Sequence, residues 1–427
     1  MHLSLKARID KANQTCPDVW AGFLRGLNPL DAACQTPLGV MVSGGGDSIA
    51  LLHLLWFWGQ RPLHVFCVDH GLNPQSAHWT QTVQALCTDL RLGFTPLKWQ
   101  GDKPVTGIQA AARQARHTLI NQAARAKNIQ ILCLGHNADD GQEAALMRDM
   151  GSSVSAPKAW GPSPLWPEGR DLFYLRPVLG VGRARLREWL KVAGIAYIDD
   201  PANDNPAYLR SLARRTLTET PVIIPENQSP AGARPPVPAH DLISGSLRFE
   251  YKALLDMPMA DARHVIACAL VCAGGGIRLP RQDSLWTIYE ALRLLDSLNH
   301  SLCGARVWRL SDQVIFGRNS GEFARNPLPP VTLRAGETVI WDGRFEITAG
   351  GIDGDIMPLK GQMRHLAAQD VQALKALPAA LRAGVPVWRD VSGVLHLSPT
   401  GGEVKSLVHR RFCAHAGLWR HEAEINT

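Results

Sequence analysis

From residue 38 to about residue 135, short apolar runs alternate with longer helical stretches. The apolar runs predict buried strands at Leu38–Val42, Leu63–Val68, Phe94–Trp99 and Ile129–Leu134. Helical spacing of apolar positions between them predicts helices at Ser48–Trp58, Ser76–Leu90 and Gly107–Lys127. Continuous apolar strands that alternate with helices are typical of a parallel sheet covered on both faces. The pattern therefore predicts an α/β fold with a doubly wound parallel sheet.

The pattern changes further along the chain. Basic helices are predicted at 183–193 and 208–217, and a Pro-rich stretch after them is typical of a linker. Leu- and Ala-rich residues at 241–300 predict helices. Short alternating runs follow at Ala305–Leu310, Val314–Phe316, Thr338–Trp341 and Arg344–Thr348, with a helical tail from Gly402. We expect an α/β domain at 1–220, a linker at 221–240, a helical domain at 241–325 and a small mixed α/β domain at 326–427.

The composition is that of a globular chain with more than one domain. A length of 427 residues exceeds one typical core, and 45% hydrophobic with 19% charged residues excludes a disordered chain. The first ten residues carry charges where a signal peptide has an apolar core. The longest apolar run, Ile49–Gly59, is shorter than the ~20 residues that span a bilayer. We expect a cytoplasmic protein with no membrane partner.

A turn of three consecutive glycines joins the first predicted strand to the first predicted helix. It consists of Ser43, Gly44, Gly45, Gly46, Asp47 and Ser48. Glycines let a ligand approach the backbone N–H groups closely, and a helix start favours phosphate. No Lys-Ser or Lys-Thr follows, so the loop is not of the Walker type. Asp47 would repel a polyphosphate unless a divalent cation bridged them, so the motif implies Mg²⁺, with a simple helix cap as the alternative.

Polar clusters follow two other predicted strands, at 69–73 and 135–140. Because ligands of parallel sheets bind at the carboxyl ends of strands, three loops are expected to meet in one crevice. In the second cluster four side chains stand at i, i+3, i+4 and i+7: His136, Asp139, Asp140 and Glu143. A helix that began just after Leu134 would place all four on one face, which suits a metal or acid–base site. Acids at a helix start also have a simpler explanation in the helix dipole.

Basic side chains surround these clusters in the sequence. Arg113, Arg116 and His117 share one face of the third predicted helix, and further basic residues lie in the next hundred: Arg183, Arg185, Arg187, Lys191, Arg210, Arg214 and Arg215. A lone basic helix face is usually only solvated. Guanidinium groups bind phosphates bidentately, and the net charge is +7. Together they predict a nucleic-acid partner.

The Gly-rich turn resembles the Ser-Gly-Gly-x-Asp-Ser signature of the N-type ATP pyrophosphatases, the PP-loop superfamily. Within it, the chain is most similar to the tRNA(Ile)-lysidine synthetases, on segments that occur in the family's order across about 38–216: 68–72, 112–117, 136–140, 176–179, 200–204 and the pair Arg210 and Arg214. Residues 241–427 resemble the family only in layout. The resemblance implies an adenine nucleotide alpha hydrolase-like N-terminal fold and two tRNA-binding domains after it.

The resemblance also implies an activity. These ligases adenylate the 2-carbonyl of the wobble cytidine in an isoleucine tRNA with a CAU anticodon, and lysine's amine then displaces AMP. Residues 43–48 and Asp69 would bind ATP, and Asp47 and Asp140 would hold Mg²⁺. His136, Asp139, Glu143 and Arg113 would complete the catalytic set with these two acids, whereas Arg116, Arg210 and Arg214 would bind RNA. The resemblance also allows a homodimer.

The chain departs from the family pattern at Asn73, where Arg is common, at His117, where Tyr is common, and at 141–144, which retain the acid but lose Gln and Thr. A tRNA thiolase or another base-adenylating enzyme of the superfamily is the alternative function. Thiolases need paired cysteines, and the nine cysteines here include no Cys-x-x-Cys. A glutaminase-coupled synthetase would need a nucleophilic Cys arrangement that the C-terminal part does not offer. A non-catalytic nucleotide sensor or RNA-binding protein would not need the intact acids.

Overall fold

The structure is a computed structural model that describes residues 2–151, 156–199 and 233–425. The chain forms two compact units, one of Met1–Ala231 with Trp419–Thr427 and the other of Gly232–Leu418. The helices of the first unit are α1 His2–Thr15, α2 Pro17–Gly26, α3 Gly46–Trp58, α4 Ser76–Leu90, α5 Ile108–Ala126, α6 Ala138–Asp149 and α7 Arg183–Ala193. Its strands are β1 Leu38–Met41, β2 Leu63–Asp69, β3 Gly93–Lys98, β4 Ile131–Cys133, β5 Trp160–Pro162 and β6 Phe173–Leu175.

These strands form one six-stranded sheet in the order β3-β2-β1-β4-β6-β5. Strands β1, β2, β3, β4 and β6 are parallel, and β5 pairs antiparallel with β6 at the edge. This confirms the predicted parallel sheet. The chain fills one side of β1 with β2 and β3 and then returns to its other side with β4. The crevice between β1 and β4 is therefore a topological switch point, the usual ligand site of such sheets.

The core of this unit explains why the strands and helices form where they do. Helix α3 is buried along residues 48–55, as expected for a helix that is apolar on all sides. On one face of the sheet, Phe66, Leu132 and Tyr174 pack with Ile120 and Ala124 of α5. Gly39 lies in β1 because a side chain there would meet Leu132 at 2.6 Å. Tight packing fixes β1 and β4, whose carboxyl ends carry the polar clusters.

The second unit contains antiparallel sheets and short helices. Its helices are α8 Tyr251–Leu255, α9 Met259–Gly274, α10 Gln282–Leu294, α11 Glu322–Arg325, α12 Ala368–Lys375, α13 Ala379–Arg382 and α14 Val408–Ala416. Its strands are β7 Ala239–Asp241, β8 Ser246–Glu250, β9 Leu298–Leu302, β10 Ala305–Leu310, β11 Gln313–Arg318, β12 Val331–Leu333, β13 Thr338–Trp341, β14 Phe345–Thr348, β15 Gly354–Pro358, β16 Pro386–Arg389, β17 Leu395–His396 and β18 Glu403–Ser406. They form three sheets, β7-β8-β11-β10-β9, β12-β15-β16-β17 and β13-β14-β18.

The expected Leu- and Ala-rich helices are present as α9 and α10, and the structure adds β7, β8 and β9 around them. The expected helical tail from Gly402 is wrong at its start, because residues 403–406 form β18 and pair with β14 before α14 begins. Alternation of Glu403, Val404, Lys405 and Ser406 suits an edge strand. The boundary expected near residue 325 stays a prediction. Within the described ranges, no helix is both long and apolar enough to cross a membrane.

Candidate functional site

The Gly-rich turn leads from β1 directly into α3. Gly44 has φ +90°, which favours glycine, and a side chain there would meet the Ile198 side chain at 2.5 Å. Gly45 precedes the first helical residue, and the Ser48 hydroxyl donates to its carbonyl oxygen at 2.8 Å. The backbone N–H of Ser43 donates to the Ser48 oxygen at 3.3 Å. Hydrogen bonds of Ser43 and Ser48 thus hold the turn in shape. The positive end of the α3 dipole lies within the turn, because the helix begins at Gly46.

The second cluster follows β4 and begins α6. Asn137 caps this helix: its side chain accepts from the Asp139 and Asp140 N–H groups, and its own N–H donates to Asp140 at 2.8 Å. Gly135 brings this segment against the Gly-rich turn, since a Cβ there would lie 2.9 Å from the Asp47 carbonyl. The two clusters therefore meet across the switch point between β1 and β4.

Arg183, the first residue of α7, lies between the acids of both clusters. Its Nη1 donates to the Glu143 carboxylate at 2.8 Å, and its Nε donates to Asp47 at 3.4 Å. Its Nη2 lies 3.5 Å from an Asp140 oxygen, and its backbone N–H donates to Asp139 at 2.8 Å. One arginine thus contacts the four acids of the proposed catalytic set, Asp47, Asp139, Asp140 and Glu143. From the sequence alone, Arg183 was predicted only as one of several basic residues that favour a nucleic-acid partner.

Burial and charge shift the pKa values of this group in a consistent way. Burial raises the pKa of Asp47, and the Asp140 charge raises it further, against the lowering effect of the Arg183 guanidinium. Burial lowers the pKa of Arg183, but the charges of Glu143, Asp47 and Asp140 outweigh it and the net shift is upward. Arg183 is therefore a permanent cation among carboxylates that share one small space.

The donor chemistry here suits a hard divalent cation that takes its other ligands from a substrate. Asp47 and Asp140 both face Arg183 beside the Gly-rich turn. Among the residues that the structure describes, no group of three or more His, Cys, Asp and Glu could hold a metal ion. Mg²⁺ is typically held by one or two carboxylates together with phosphates and water. Two carboxylates beside the Gly-rich turn, with phosphates supplied by a substrate, would meet that requirement.

His136 does not share the helix face of the acids, and that expectation is wrong. Helix α6 begins only at Ala138, because Asn137 takes the capping position. His136 instead accepts a hydrogen bond at Nδ1 from Arg176 Nε, at 2.8 Å. Arg176 is itself held by the Lys158 carbonyl at 2.7 Å, and burial with the nearby Arg113 charge lowers its pKa to about 10. His136 therefore borders a basic cluster beside the acids.

Helix α5 supplies the rest of that basic cluster. Arg116 donates to His70 Nε2, at 3.3 Å from Nε, and burial together with that charge lowers the His70 pKa to about 4. His117 does not lie on the same solvated face: it is buried, and its Nδ1 lies 2.9 Å from the Tyr174 hydroxyl. Burial and then the Arg113 charge lower the His117 pKa to about 3. His117 is thus a neutral core residue, where a helix face alone suggested a basic one.

The remaining proposed residues are placed less directly. The Asp69 carboxylate accepts from the Gly71 N–H at 2.8 Å and so shapes the turn after β2. Arg210 and Arg214 lie outside the described residues. One unforeseen segment covers the Gly-rich turn: the Ile198 N–H donates to the Gly44 carbonyl at 2.9 Å, and the Tyr197 ring lies above Gly46. No sequence signal identified this contact, whereas an arginine at a helix start, which the dipole disfavours, could have drawn attention to Arg183.

The sheet order, the Gly-rich turn at the switch point and the acids opposite it define an ATP-binding α/β domain, and residues 24–220 match the PP-loop domain family. The chain is 39% identical to the tRNA(Ile)-lysidine synthase of Caulobacter vibrioides over 92% of its own length and 96% of the relative. It is 31% identical to that of Ruegeria pomeroyi over 91% of both. The chain belongs to the tRNA(Ile)-lysidine synthase family.

Solved structures are more distant. The U34-tRNA thiolase NcsA from Methanococcus maripaludis, described with its [4Fe-4S] cluster, aligns with 47% of this chain and 72% of its own, at 15% identity and a TM-score of 0.40. No disulfide joins any of the nine cysteines, all of which lie within the described ranges. The family assignment rests on the synthase relatives.

Proposed function

We propose that this protein is an ATP-dependent ligase that converts the wobble cytidine of an isoleucine tRNA with a CAU anticodon to lysidine. The cytidine 2-oxygen attacks the α-phosphorus of ATP, and pyrophosphate leaves. Lysine's amine then attacks C2 of the activated base, the C2–O bond breaks so that AMP leaves with the former 2-oxygen, and the amine nitrogen loses a proton. The observation that carries the proposal is the meeting of Asp47 with the acids at 139–143 across the switch point, in a chain related over nearly its whole length to lysidine synthases.

The Gly-rich turn is assigned to the phosphates of ATP. The first N–H groups of α3 have no partner within the helix and point towards an anion with the dipole behind them. Ser43 and Ser48 hold the turn in shape, and Asp69 shapes the neighbouring loop. Asp47 and Asp140 would hold Mg²⁺, which when bound neutralises the charge that develops on departing pyrophosphate.

The remaining acids, Asp139 and Glu143, are assigned to proton transfer from lysine's amine and to orientation of the site. Glu143 is fixed by Arg183, and Asp139 is fixed by the Arg183 backbone N–H. A carboxylate at this place can accept the proton that lysine's amine releases as AMP leaves. His136 accepts a hydrogen bond at Nδ1 from Arg176, so the neutral imidazole carries its proton on Nε2.

The basic side of the site is assigned to the tRNA. Arg113 lies close enough to lower the pKa values of His117 and Arg176, so positive charge accumulates there in spite of mutual repulsion. Such a cluster suits a polyanion. Arg116, with Arg210 and Arg214, is assigned to the same partner. The cytoplasmic location and a homodimer stay predictions.

The test is mass spectrometry of nucleosides from tRNA incubated with the protein, ATP and isotope-labelled lysine. We expect labelled lysidine, and pyrophosphate release that requires both tRNA and ATP. A tRNA whose wobble base is changed from cytidine to uridine is the matched control and should stay unlabelled. Incorporation of sulfur in place of lysine would overturn the proposal in favour of a thiolase.

A further inference from the structure

The acids of the site are already charge-compensated within the protein. Arg183 is 15% exposed, and its three ion-pair partners Asp47, Asp140 and Glu143 are 29%, 7% and 1% exposed. Carboxylates at that depth are costly to leave ionised without a cation. Arg183 supplies one positive charge to this group.

Arg183 does this from an unfavourable position. It is the first residue of α7, where the helix dipole repels a cation, and Gly182 before it offers no side-chain cap. Its Nη2 is buried and 3.5 Å from Asp140, yet makes no hydrogen bond to any residue that the structure describes. The guanidinium is thus well bonded to Glu143 and only loosely to Asp47 and Asp140, the two carboxylates assigned to the metal.

We propose that Arg183 is a resident counter-cation of the nucleotide-free protein, which stands in for the divalent cation at Asp47 and Asp140 and weakens its binding until ATP brings phosphates. The close bond to Glu143 keeps the arginine at the site, and the loose contacts to the other two acids let it yield them. The inference rests on the proposed magnesium site. Arg183 is on this account a positioning residue that sets when the metal binds.

The test is a titration of the nucleotide-free full chain with Mn²⁺, followed by electron paramagnetic resonance of the free ion. Arg183→Gln removes the charge, and we expect it to bind Mn²⁺ at least about tenfold more tightly than the wild type. Arg183→Lys retains the charge and should bind like the wild type. Arg185→Gln is the matched control, because Arg185 lies on the same helix but pairs with Asp18 at the surface.

Two further variants keep the test decisive. If Arg183→Gln does not fold, Arg183→Gln/Glu143→Gln removes the buried pair together and should show the same gain. Adding Asp47→Asn to either should abolish the gain. An unchanged or weaker Mn²⁺ affinity without Arg183, or a gain that survives Asp47→Asn, overturns the inference. Lysidine formation by the wild type is measured separately, so the proposed function can stand while the role of Arg183 fails.

Discussion

Arg61 and Glu422 form a buried ion pair at 2.7 Å between residues 361 positions apart in the chain. The Arg61 guanidinium also donates to the Thr36 carbonyl just before β1, and the Glu422 carboxylate accepts from the Asp31 N–H. Trp419 extends the contact, since its carbonyl accepts from the Trp160 indole at 2.9 Å. The last residues thus complete the unit that carries the Gly-rich turn.

We predict that Glu422→Gln destabilises this unit by about 3 kcal/mol, because Arg61 is left buried without its counter-charge. Hydrogen exchange measured by mass spectrometry should show faster exchange in β1 and β2. Glu188→Gln is the control, since Glu188 pairs with Arg185 at the surface and such pairs contribute little. Unchanged protection of β1 in Glu422→Gln would show that the C-terminal segment does not stabilise the sheet.

Asp47→Ala should lower tRNA-dependent AMP formation by about 10³-fold, as expected when a group that stabilises developing charge is lost. Affinity for tRNA should stay within severalfold, because Asp47 lies among acids that repel a polyanion. Single-turnover AMP formation and filter binding measure the two effects. Asp89→Asn, an exposed acid on α4, is the control. Normal turnover in Asp47→Ala would show that the loop is only structural.

The elements between residues 38 and 135 follow closely from sequence, whereas α1 and α2 before them were not predicted. Helix α4 spans Ser76–Leu90 as predicted, and β1 ends one residue earlier than predicted. These elements are predictable because the spacing of apolar residues, with glycines at the ends, marks a buried segment without reference to the rest of the chain. Strand β4 is shorter than its apolar run, since only residues 131–133 pair with β1. Local sequence patterns therefore predict the position of a strand better than the residues at which its pairing with neighbouring strands ends.

The site was only partly predictable for a different reason. Asp47 and the acids at 139–143 each follow a strand, so their meeting could be inferred from the parallel sheet. Arg183 is 136 residues from Asp47, and its place depends on how α7 packs after the sheet has formed. His136 likewise lies outside the helix, because Asn137 is the N-cap residue and α6 begins only at Ala138. Contacts between distant segments carry no periodic signal.

Gly135→Ala should reduce ATP affinity by about tenfold or more, because its Cβ would meet the Asp47 backbone at 2.9 Å and backbone there cannot move aside cheaply. Equilibrium binding of a non-hydrolysable ATP analogue measures the effect. Gly141→Ala is the matched control on α6, where a Cβ meets nothing within 4 Å. It should stabilise the helix by about 0.5 to 1 kcal/mol and leave affinity unchanged. Equal affinity in both variants would contradict the close approach of β4 to the loop.

His117 should make the stability of the first unit depend on pH. Its pKa is near 3 in the folded protein and about 6.5 when unfolded, so the unfolded chain binds the extra proton between these values. Stability from this group is therefore complete above pH 6.5 and is lost as the pH falls towards 3. Between pH 7.5 and 5.0 the loss is about 2 kcal/mol.

Urea unfolding of the wild type and of His117→Gln at pH 7.5 and pH 5.0 measures this loss of stability. The free energy of unfolding of the variant should fall by about 2 kcal/mol less on acidification than that of the wild type. Tyr174→Phe removes the hydroxyl that contacts His117 but leaves the imidazole buried beside Arg113 and Arg116, so its cost should be similar at both pH values. Parallel pH dependence in wild type and His117→Gln would mean that His117 takes up its proton in the folded state. The core contact with Tyr174 would then have to open in acid.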